Sequence, residues 1–513
     1  MGKRIMFLSA VGFFFFSMIL AAVPSHSQAS NLVARPEEEK HTTWKDVNYM
    51  DLFWGEGYAV PYHLKRFNVY DIFVDWGGST AALFRWDHNE DKNNQLKDEP
   101  GDIQRWLLYF YFNVRYQDWL RYYVKFRNIY HGNDYYPMDN KNEGLDVDQM
   151  YWELMFEPFN LTAGRQWHKI GRGHVYRNNF DAFKIIYSDD FVDVDMYVGK
   201  VIGDNQDGFV YNNHQNKYPI GITATYKEFM KHLFQGYVVG VVDKSDDQLY
   251  YRHSKYKPVY FGSYSVGRFD IDKYKVKSLS YYAETVKAYG RSNVSDFTDP
   301  AYRYNTETID TFLIDLGAVI RIDHPWKPEI ENEIAWGSGD KTVPLYGTIV
   351  MSESGSSVDR FAQRVPGYSG TDTVYMNQRG AVNSTVRGNP AGSRDTMWRG
   401  IDGYVNYGVA LNPILSNLLV YKFGLKFNPI KKLTAEINHY AYWKQYAQAP
   451  ISDYAATVDG RYVGNELDLL LTYDLTRYTR MSLAYGHFFC GSAYPTDAHS
   501  DEDLIQLVYQ YVF

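Results

Sequence analysis

Cys490 is the only cysteine in the chain, so no internal disulfide can brace it, and a folded form must be held by packing and backbone hydrogen bonds. Cys490 itself reads as an incidental apolar residue at a strand end rather than a nucleophile. Long apolar runs are also missing: after residue 30 there is no stretch of about 18 consecutive uncharged apolar residues, which excludes a helical inner-membrane protein. Positive charge is in deficit, with 53 Lys plus Arg against 61 Asp plus Glu, and no basic bias points to nucleic acid. The chain contains no His-Glu-x-x-His, no glycine-rich phosphate loop and no CxxC pair. Neither catalysis nor a cofactor or metal is therefore expected. Asp87, Glu90, Asp91, Asp98 and Asp102 gather around one polar stretch, but such groups are more often solvated surface than a calcium cage.

What is present begins with an export signal. Lys3 and Arg4 precede an apolar stretch from Ile5 to Val23, and Ser27-Gln28-Ala29 offers small residues for cleavage, so residues 1–29 read as a signal peptide. A single N-terminal anchor is the other reading of so long an apolar stretch. Losing Lys3 and Arg4 takes the formal charge from -8 to -10. The rest of the chain is expected to work outside the cytoplasm.

Aromatic residues make up 18% of the chain, 48 of them Tyr, and their combination of ring and polar tip suits strands and membrane interfaces. They fall in alternating segments. In "LLYFYFNVRYQ", Leu108, Phe110, Phe112 and Val114 share one face and Tyr109, Tyr111, Asn113 and Arg115 the other. In "RYYVKFRN", Tyr122, Val124 and Phe126 oppose Arg121, Tyr123, Lys125 and Arg127. The same pattern recurs in "VDVDMYVG", "TFLIDLGAVIRI", "KFGLKFN" and "LTAEINHYAYWK". Buried parallel strands would instead read as continuous apolar runs.

Period-two segments admit two architectures. A soluble sandwich turns its apolar face inward, whereas a transmembrane barrel turns it to lipid and lines its lumen with the polar face. Length favours the barrel, because soluble sandwiches usually stop at about 100 to 250 residues. The final segment, "LIQLVYQYVF", keeps Ile505, Leu507, Tyr509, Tyr511 and Phe513 on one face to its last residue. That ending resembles the signal by which Gram-negative outer-membrane barrels reach the barrel-assembly machinery, so Tyr509, Tyr511 and Phe513 are the expected assembly signal. An all-β fold is expected, a single antiparallel transmembrane barrel in the outer membrane, in contact with lipid and lipopolysaccharide.

"GNELDLLLTYDLTRYTRMSLAYGHFFCGSAY" at 464–494 resembles the penultimate hairpin of the alginate-export family of outer-membrane barrels, through Gly464, Glu466, Asp468, Tyr485, His487, Phe488 and Gly491. "LDVDQMYWELMFEPFNLTAGRQWHKIGRGHVYRNNFDAFKI" resembles a second family signature, with Gln149, Tyr151, Gly164-Arg165-Gln166, Gly171 and Phe180-Asp181. "EIAWGSGDK", with Gly337, Gly339 and Asp340, resembles a third. The resemblance spans roughly residues 70 to 513. It implies a conduit for an anionic polysaccharide through an arginine-rich constriction, and 18 strands. Residue consumption per hairpin independently allows roughly 16 to 20, an even number.

Strict alternation places basic groups Arg115, Arg121, Lys125, Arg127, Arg321, Lys422, Lys426 and Lys444 in the lumen, with acidic groups Glu153, Asp193, Asp195, Asp315, Glu436, Glu466 and Asp468. Arg165 shares the lipid-side parity of Leu161 and Ala163, where a cation costs about 2–4 kcal/mol at the midplane. It joins the lumen set if a bulge near Ala163 and Gly164 turns it inward; otherwise it belongs near the water-facing rim. Arg115, Lys125, Arg127 and Arg165 would then form a positive ring if they gather at one level. So many acids make the lumen unusual for the family and favour a porin-like channel for hydrophilic solutes, anions or polysaccharide among them. The alternative is a non-transport sleeve or scaffold for a partner protein, such as a periplasmic redox protein. Residues 30–69 are expected to form a periplasmic extension, residues 70–513 the barrel with a first strand near "STAALFRWDH", and residues 341–397 a long external loop that enters the pore or caps it.

Overall fold

Strands form where the two-residue period runs longest. The computed structural model describes residues 65–88, 103–131, 143–201, 216–229, 232–244, 248–249, 252–295, 304–340, 349–350, 362–363 and, with single or paired gaps, 394–513. The expected signal peptide and most of the expected extension and long loop lie outside these residues. The chain forms an 18-stranded, closed antiparallel barrel. Its strands are β1 (Ile72–His88), β2 (Ile103–Tyr116), β3 (Leu120–His131), β4 (Glu143–Phe156), β5 (Phe159–Lys169) and β6 (Arg177–Ser188). They continue with β7 (Val192–Val201), β8 (Lys217–Phe229), β9 (His232–Asp243), β10 (Arg252–Lys273), β11 (Val276–Ser295) and β12 (Tyr304–Ile322). The last six are β13 (Glu329–Gly337), β14 (Leu418–Ile430), β15 (Leu433–Lys444), β16 (Tyr462–Asp474), β17 (Thr479–Cys490) and β18 (Glu502–Val512). Each pairs with the next, through short turns at one end such as 117–119, 157–158, 274–275 and 431–432, and through longer connections at the other. Long loops mark the external end of outer-membrane barrels, which orients the chain.

Closure is made in two pieces along one edge of β1. Its outer part pairs with β18, from Ser79 opposite Val512 to His88 opposite Asp503. Its inner part pairs with Lys65–Val69, which folds back through Tyr70 and Asp71 so that Val69 meets Ile72 and Lys65 meets Trp76. Between the two, Gly78 N–H donates to the Phe513 carbonyl at 3.1 Å and Phe513 N–H donates back to Gly78 at 3.0 Å. No stretch of this edge is left to hydrocarbon, where an unpaired peptide group costs several kcal/mol. Glycine is required here, because a Cβ on Gly78 would lie 2.5 Å from the Phe513 ring and 2.4 Å from the Tyr109 carbonyl.

The two faces separate as their solvents demand. On β18, Glu502, Leu504, Gln506, Val508, Gln510 and Val512 are buried inside, while Ile505, Tyr509 and Tyr511 are exposed on the outer wall. The outer wall carries an apolar band that includes Leu108, Trp152, Phe183, Val198, Phe261, Leu316, Phe423 and Leu467. Toward the short turns it becomes aromatic, with Tyr116 against Trp119, Trp119 against Phe156, Phe159 against Tyr187 and Tyr511 against Phe513. Such rings suit the boundary between lipid tails and water. Among the described residues no helix is long and apolar enough to cross a membrane; strands make the crossing.

The seam generates a prediction. A chain ending at Val512, and separately Gly78→Val, should slow the appearance of folded, heat-modifiable barrel in a pulse-chase of outer-membrane fractions by roughly two- to tenfold, with little effect on barrels already closed. Wild-type kinetics in both would show that the Gly78–Phe513 junction does not limit assembly.

Candidate constriction of the barrel lumen

Two loops turn inward rather than outward. Residues 170–176, between β5 and β6, make a tight hairpin in which Ile170 N–H donates to Tyr176 at 3.0 Å and Gly173 N–H to Ile170 at 2.9 Å. Gly171 and Gly173 take φ of 57° and 109°, the left-handed region that glycine enters without strain. Residues 398–417, preceding β14, lie against this hairpin: Ile401 N–H donates to Val175 at 2.8 Å, and Tyr260 Oη to the Arg399 carbonyl at 2.9 Å. Ile170, Val175, Tyr176, Trp398, Ile401, Tyr407, Val409 and Leu415 are buried together with Tyr237, Tyr260, Leu313, Val420, Tyr442 and Phe488 of the wall. The lumen therefore contains an apolar core of its own. Truncating a ring such as Trp398 in it should cost about 3–5 kcal/mol.

Carboxylates of the wall hold both loops by their donors. Arg172 Nη1 contacts Asp315 on β12 and donates to Glu333 on β13 at 2.5 Å, while its guanidinium lies 4.0 Å from the centre of the Tyr282 ring. His174 Nε2 is 2.8 Å from the same Asp315 oxygen, and Tyr407 Oη donates to it at 3.3 Å. Glu284 on β11 accepts the Arg172 N–H at 3.2 Å and the Tyr237 hydroxyl at 2.7 Å. Farther round, Glu466 on β16 accepts three successive backbone donors, Val409 and Ala410 at 2.6 Å each and Leu411 at 3.1 Å, together with Tyr442 Oη at 2.8 Å. Asp468 also accepts from Val409 N–H, at 3.1 Å. Charge-assisted bonds of this kind in a dry interior are among the strongest a protein makes.

A second wall is cationic and tyrosine-rich. Arg115 pairs with Asp75 at 3.1 Å, and Arg121 donates to Asn113 at 2.7 Å and pairs with Glu153 at 3.3 Å. Lys125 pairs with Asp148 at 2.6 Å and lies 4.4 Å from the Tyr109 ring centre; Arg127 reaches Asp146 and Asp148 at 3.6 Å. Tyr111, Tyr123 and Tyr151 follow ring against ring across β2, β3 and β4. The side chains of Arg115 and Arg121 are 31% and 32% exposed while those of Asp75 and Glu153 are 2% and 14%, so at this level the cations present the accessible surface.

The structure places every residue anticipated from alternation. Arg115, Arg121, Lys125 and Arg127 face inward, but they run as a file along β2 and β3 rather than a ring at one level. Glu153 lies beside Arg121. Asp193 and Asp195 share the inward parity of Tyr197, Asp193 pairing with Lys227 at 2.6 Å. Toward the short-turn mouth Arg321 pairs with Glu329 at 2.8 Å, Lys422 with Glu331 at 2.6 Å and Lys426 with Glu436 at 2.7 Å. Lys444 is buried at the opposite end, where its Nζ donates to the Ala456 carbonyl at 2.7 Å. Asp315, Glu466 and Asp468 are inside, spent on the loops. Arg165 departs from the lumen set. The β5 registers on both sides are unbroken, so Arg165 stands between Met150 and Asp181 on the outer wall, pairing with Asp181 at 3.1 Å.

The bulge lies elsewhere, on β4. Lys125 faces Gln149 and Phe126 faces Val147, which leaves Asp148 as the extra residue. Counting back by twos from Glu153 would send Asp148 and Asp146 to lipid; the bulge delivers both to Lys125 and Arg127. Alternation counted without a bulge therefore missed them. Glu284, Glu331 and Glu333 had a plain alternating signal in β11 and β13. Arg172 and His174 carried only the loop signature Gly-Arg-Gly-His.

The family profile described as Alginate export matches residues 84–506, and the chain belongs to that family. No curated protein sequence matches it. Among solved structures it is similar in fold to Pseudomonas aeruginosa OpdK with vanillate, at 9% identity and a TM-score of 0.54 over 86% of this chain and 98% of that one. An improved structure of the same organism's OccK1 (OpdK) matches with 10% identity, TM-score 0.54 and the same coverage. The structure described as the outer membrane protein OpdK gives 10% identity and 0.52, again over 86% and 98%. Family and fold are those of outer-membrane transport barrels, and the protein resides in the outer membrane of a Gram-negative bacterium.

The clamp on residues 409–411 can be tested. Glu466→Ala should release that segment from the wall and raise single-channel conductance in planar bilayers roughly twofold or more, with heat-modifiable migration retained. Unchanged conductance would mean that this segment does not narrow the path.

Proposed function

We propose that the protein is a restricted channel for hydrophilic solutes of net negative charge, with anionic sugars and polysaccharide strands as the substrate class its family suggests. The observation that carries this reading is the pair Arg115 and Arg121, which stand opposite each other and are 31% and 32% exposed in front of the more buried Asp75 and Glu153, beside Tyr123 and Tyr151 on one inner wall; Lys125 and Arg127 continue the file but are buried against Asp148. Guanidinium and ammonium groups attract carboxylate, and tyrosine faces stack on the apolar faces of rings.

An acidic total charge does not oppose this. Asp315, Glu284, Glu333, Glu466 and Asp468 are buried and engaged by loop donors, so they add little to the field along the remaining path. Local charge controls passage. A sleeve around a partner protein fits less well, since residues 170–176 and 398–417 of the chain already occupy the interior against the wall.

Reversal potentials in a salt gradient test the proposal. Wild-type channels should prefer anions, and Arg115→Gln with Arg121→Gln should shift the reversal potential toward cation preference by roughly 10 mV or more in a tenfold gradient. Cation preference in the wild type, or no shift in the double variant, would overturn it.

A further inference from the structure

Near the start of β16 the run Gly464-Asn465-Glu466-Leu467-Asp468 sets two acids two residues apart, so both side chains leave the same face of the strand. Both are fully buried. They accept the same Val409 N–H, at 2.6 Å to Glu466 Oε1 and 3.1 Å to Asp468 Oδ2. Glu466 is well supplied with donors, taking the amides of Val409, Ala410 and Leu411 and the Tyr442 hydroxyl. Asp468 has the one shared N–H, and its Oδ1 is buried with no hydrogen-bond partner.

Among the described residues no cation contacts either acid. On one side β15 presents Tyr440 opposite Glu466 and Asn438 opposite Asp468, with Tyr442 beside them. Lys422 of β14 stands beyond Tyr440, between it and Glu333 of β13, and is bound to Glu331 at 2.6 Å. On the other side β17 presents Phe488 and Gly486, and Glu502 of β18 beyond Phe488 adds a further acid. Tyr407 of the inward loop meets the group through its carbonyl, which accepts the Tyr442 hydroxyl at 2.7 Å. Two carboxylates that share one donor in a dry interior repel strongly when both are charged. A proton on one of them removes that repulsion. A neutral Asp468 also leaves a carbonyl oxygen, rather than a charged one, without a partner at Oδ1.

We propose that Glu466 and Asp468 share one proton that keeps residues 409–411 clamped to the wall, and that its loss in alkaline solution releases the segment and widens the path through the lumen. The proton resides on Asp468, because the donors around Glu466 hold the negative charge there. It is exchanged with solvent, and no bond but its O–H is made or broken. Once it leaves, the second charge drives the two acids apart from the N–H they share. The clamp is tight while the pair is protonated and loose above its titration. A device of this kind regulates passage without touching the cations that select the solute.

The folded full-length barrel is measured in two ways. Infrared spectra in detergent at neutral pH should contain the carbonyl stretch of a protonated carboxyl group that is missing from Asp468→Asn. In planar bilayers, wild-type single-channel conductance should rise about 1.5-fold or more between about pH 7 and pH 10, with the same midpoint as the loss of that band. Asp468→Asn should show neither the band nor the rise, since an amide cannot ionise. Identical carbonyl regions in wild type and Asp468→Asn would place no proton on Asp468 and overturn the proposal. Wild-type conductance that stays flat while the band disappears, or a rise that persists in Asp468→Asn, would overturn it as well. Should Asp468→Asn not fold, the wild-type chain alone decides: coincident midpoints for band and conductance support the shared proton, and separate midpoints overturn it.

Discussion

A peptide group in hydrocarbon has no water to bond, and everything else in this barrel follows from meeting that constraint. The seam shows how completely it is met. β1 is longer than the strand that closes on it, and Lys65–Val69 turns back to cover what β18 leaves. The Gly78–Phe513 exchange fills the gap between them. Once the sheet is closed, its faces acquire different solvents. Lipid selects Leu, Val, Phe and Trp outside, and the enclosed space permits carboxylates, guanidiniums and tyrosines inside.

The inner space is not a simple water-filled tube. Two groups of its acids do different work. Those on β11, β12, β13 and β16 act as acceptors for Arg172, His174, Tyr407 and the amides of residues 409–411, and are buried in doing so. Those on β1 and β4 lie behind Arg115 and Arg121 and hold the cations toward the open side. A count of luminal charge therefore misjudges the field, because desolvated and mutually paired groups contribute little to a solute passing elsewhere.

Arg165 and Asp148 show where reading the sequence by twos succeeds and where it stops. For Arg165 the parity shared with Leu161 and Ala163 was right, and pairing with Asp181 and the Val147 carbonyl, rather than a bulge, meets the charge. For Asp148 parity counted from Glu153 was wrong, because one inserted residue reverses every side chain beyond it. Nothing in "LDVDQMYWEL" announces that insertion. It is stabilised by Lys125 and Arg127 on the neighbouring strand, which are visible only once the strands are aligned.

The sequence by itself determined the class of fold, the closure by a terminal aromatic strand and, in strands with no inserted residue, which face meets lipid. These follow from a period of two, a local property that any five or six residues display, and from the demand that a closed sheet leave no edge. Tertiary structure alone decided that residues 170–176 and 398–417 enter the lumen, and that Arg172 meets Asp315 and Glu333 across separations of 143 and 161 residues. It also decided that the cations of β2 and β3 form a file instead of a ring. Loop direction depends on which acceptors the far wall offers, and the stagger of the strands sets which residues share a level. Both are properties of the closed barrel, because they arise from pairings between strands and not from the order of residues within one.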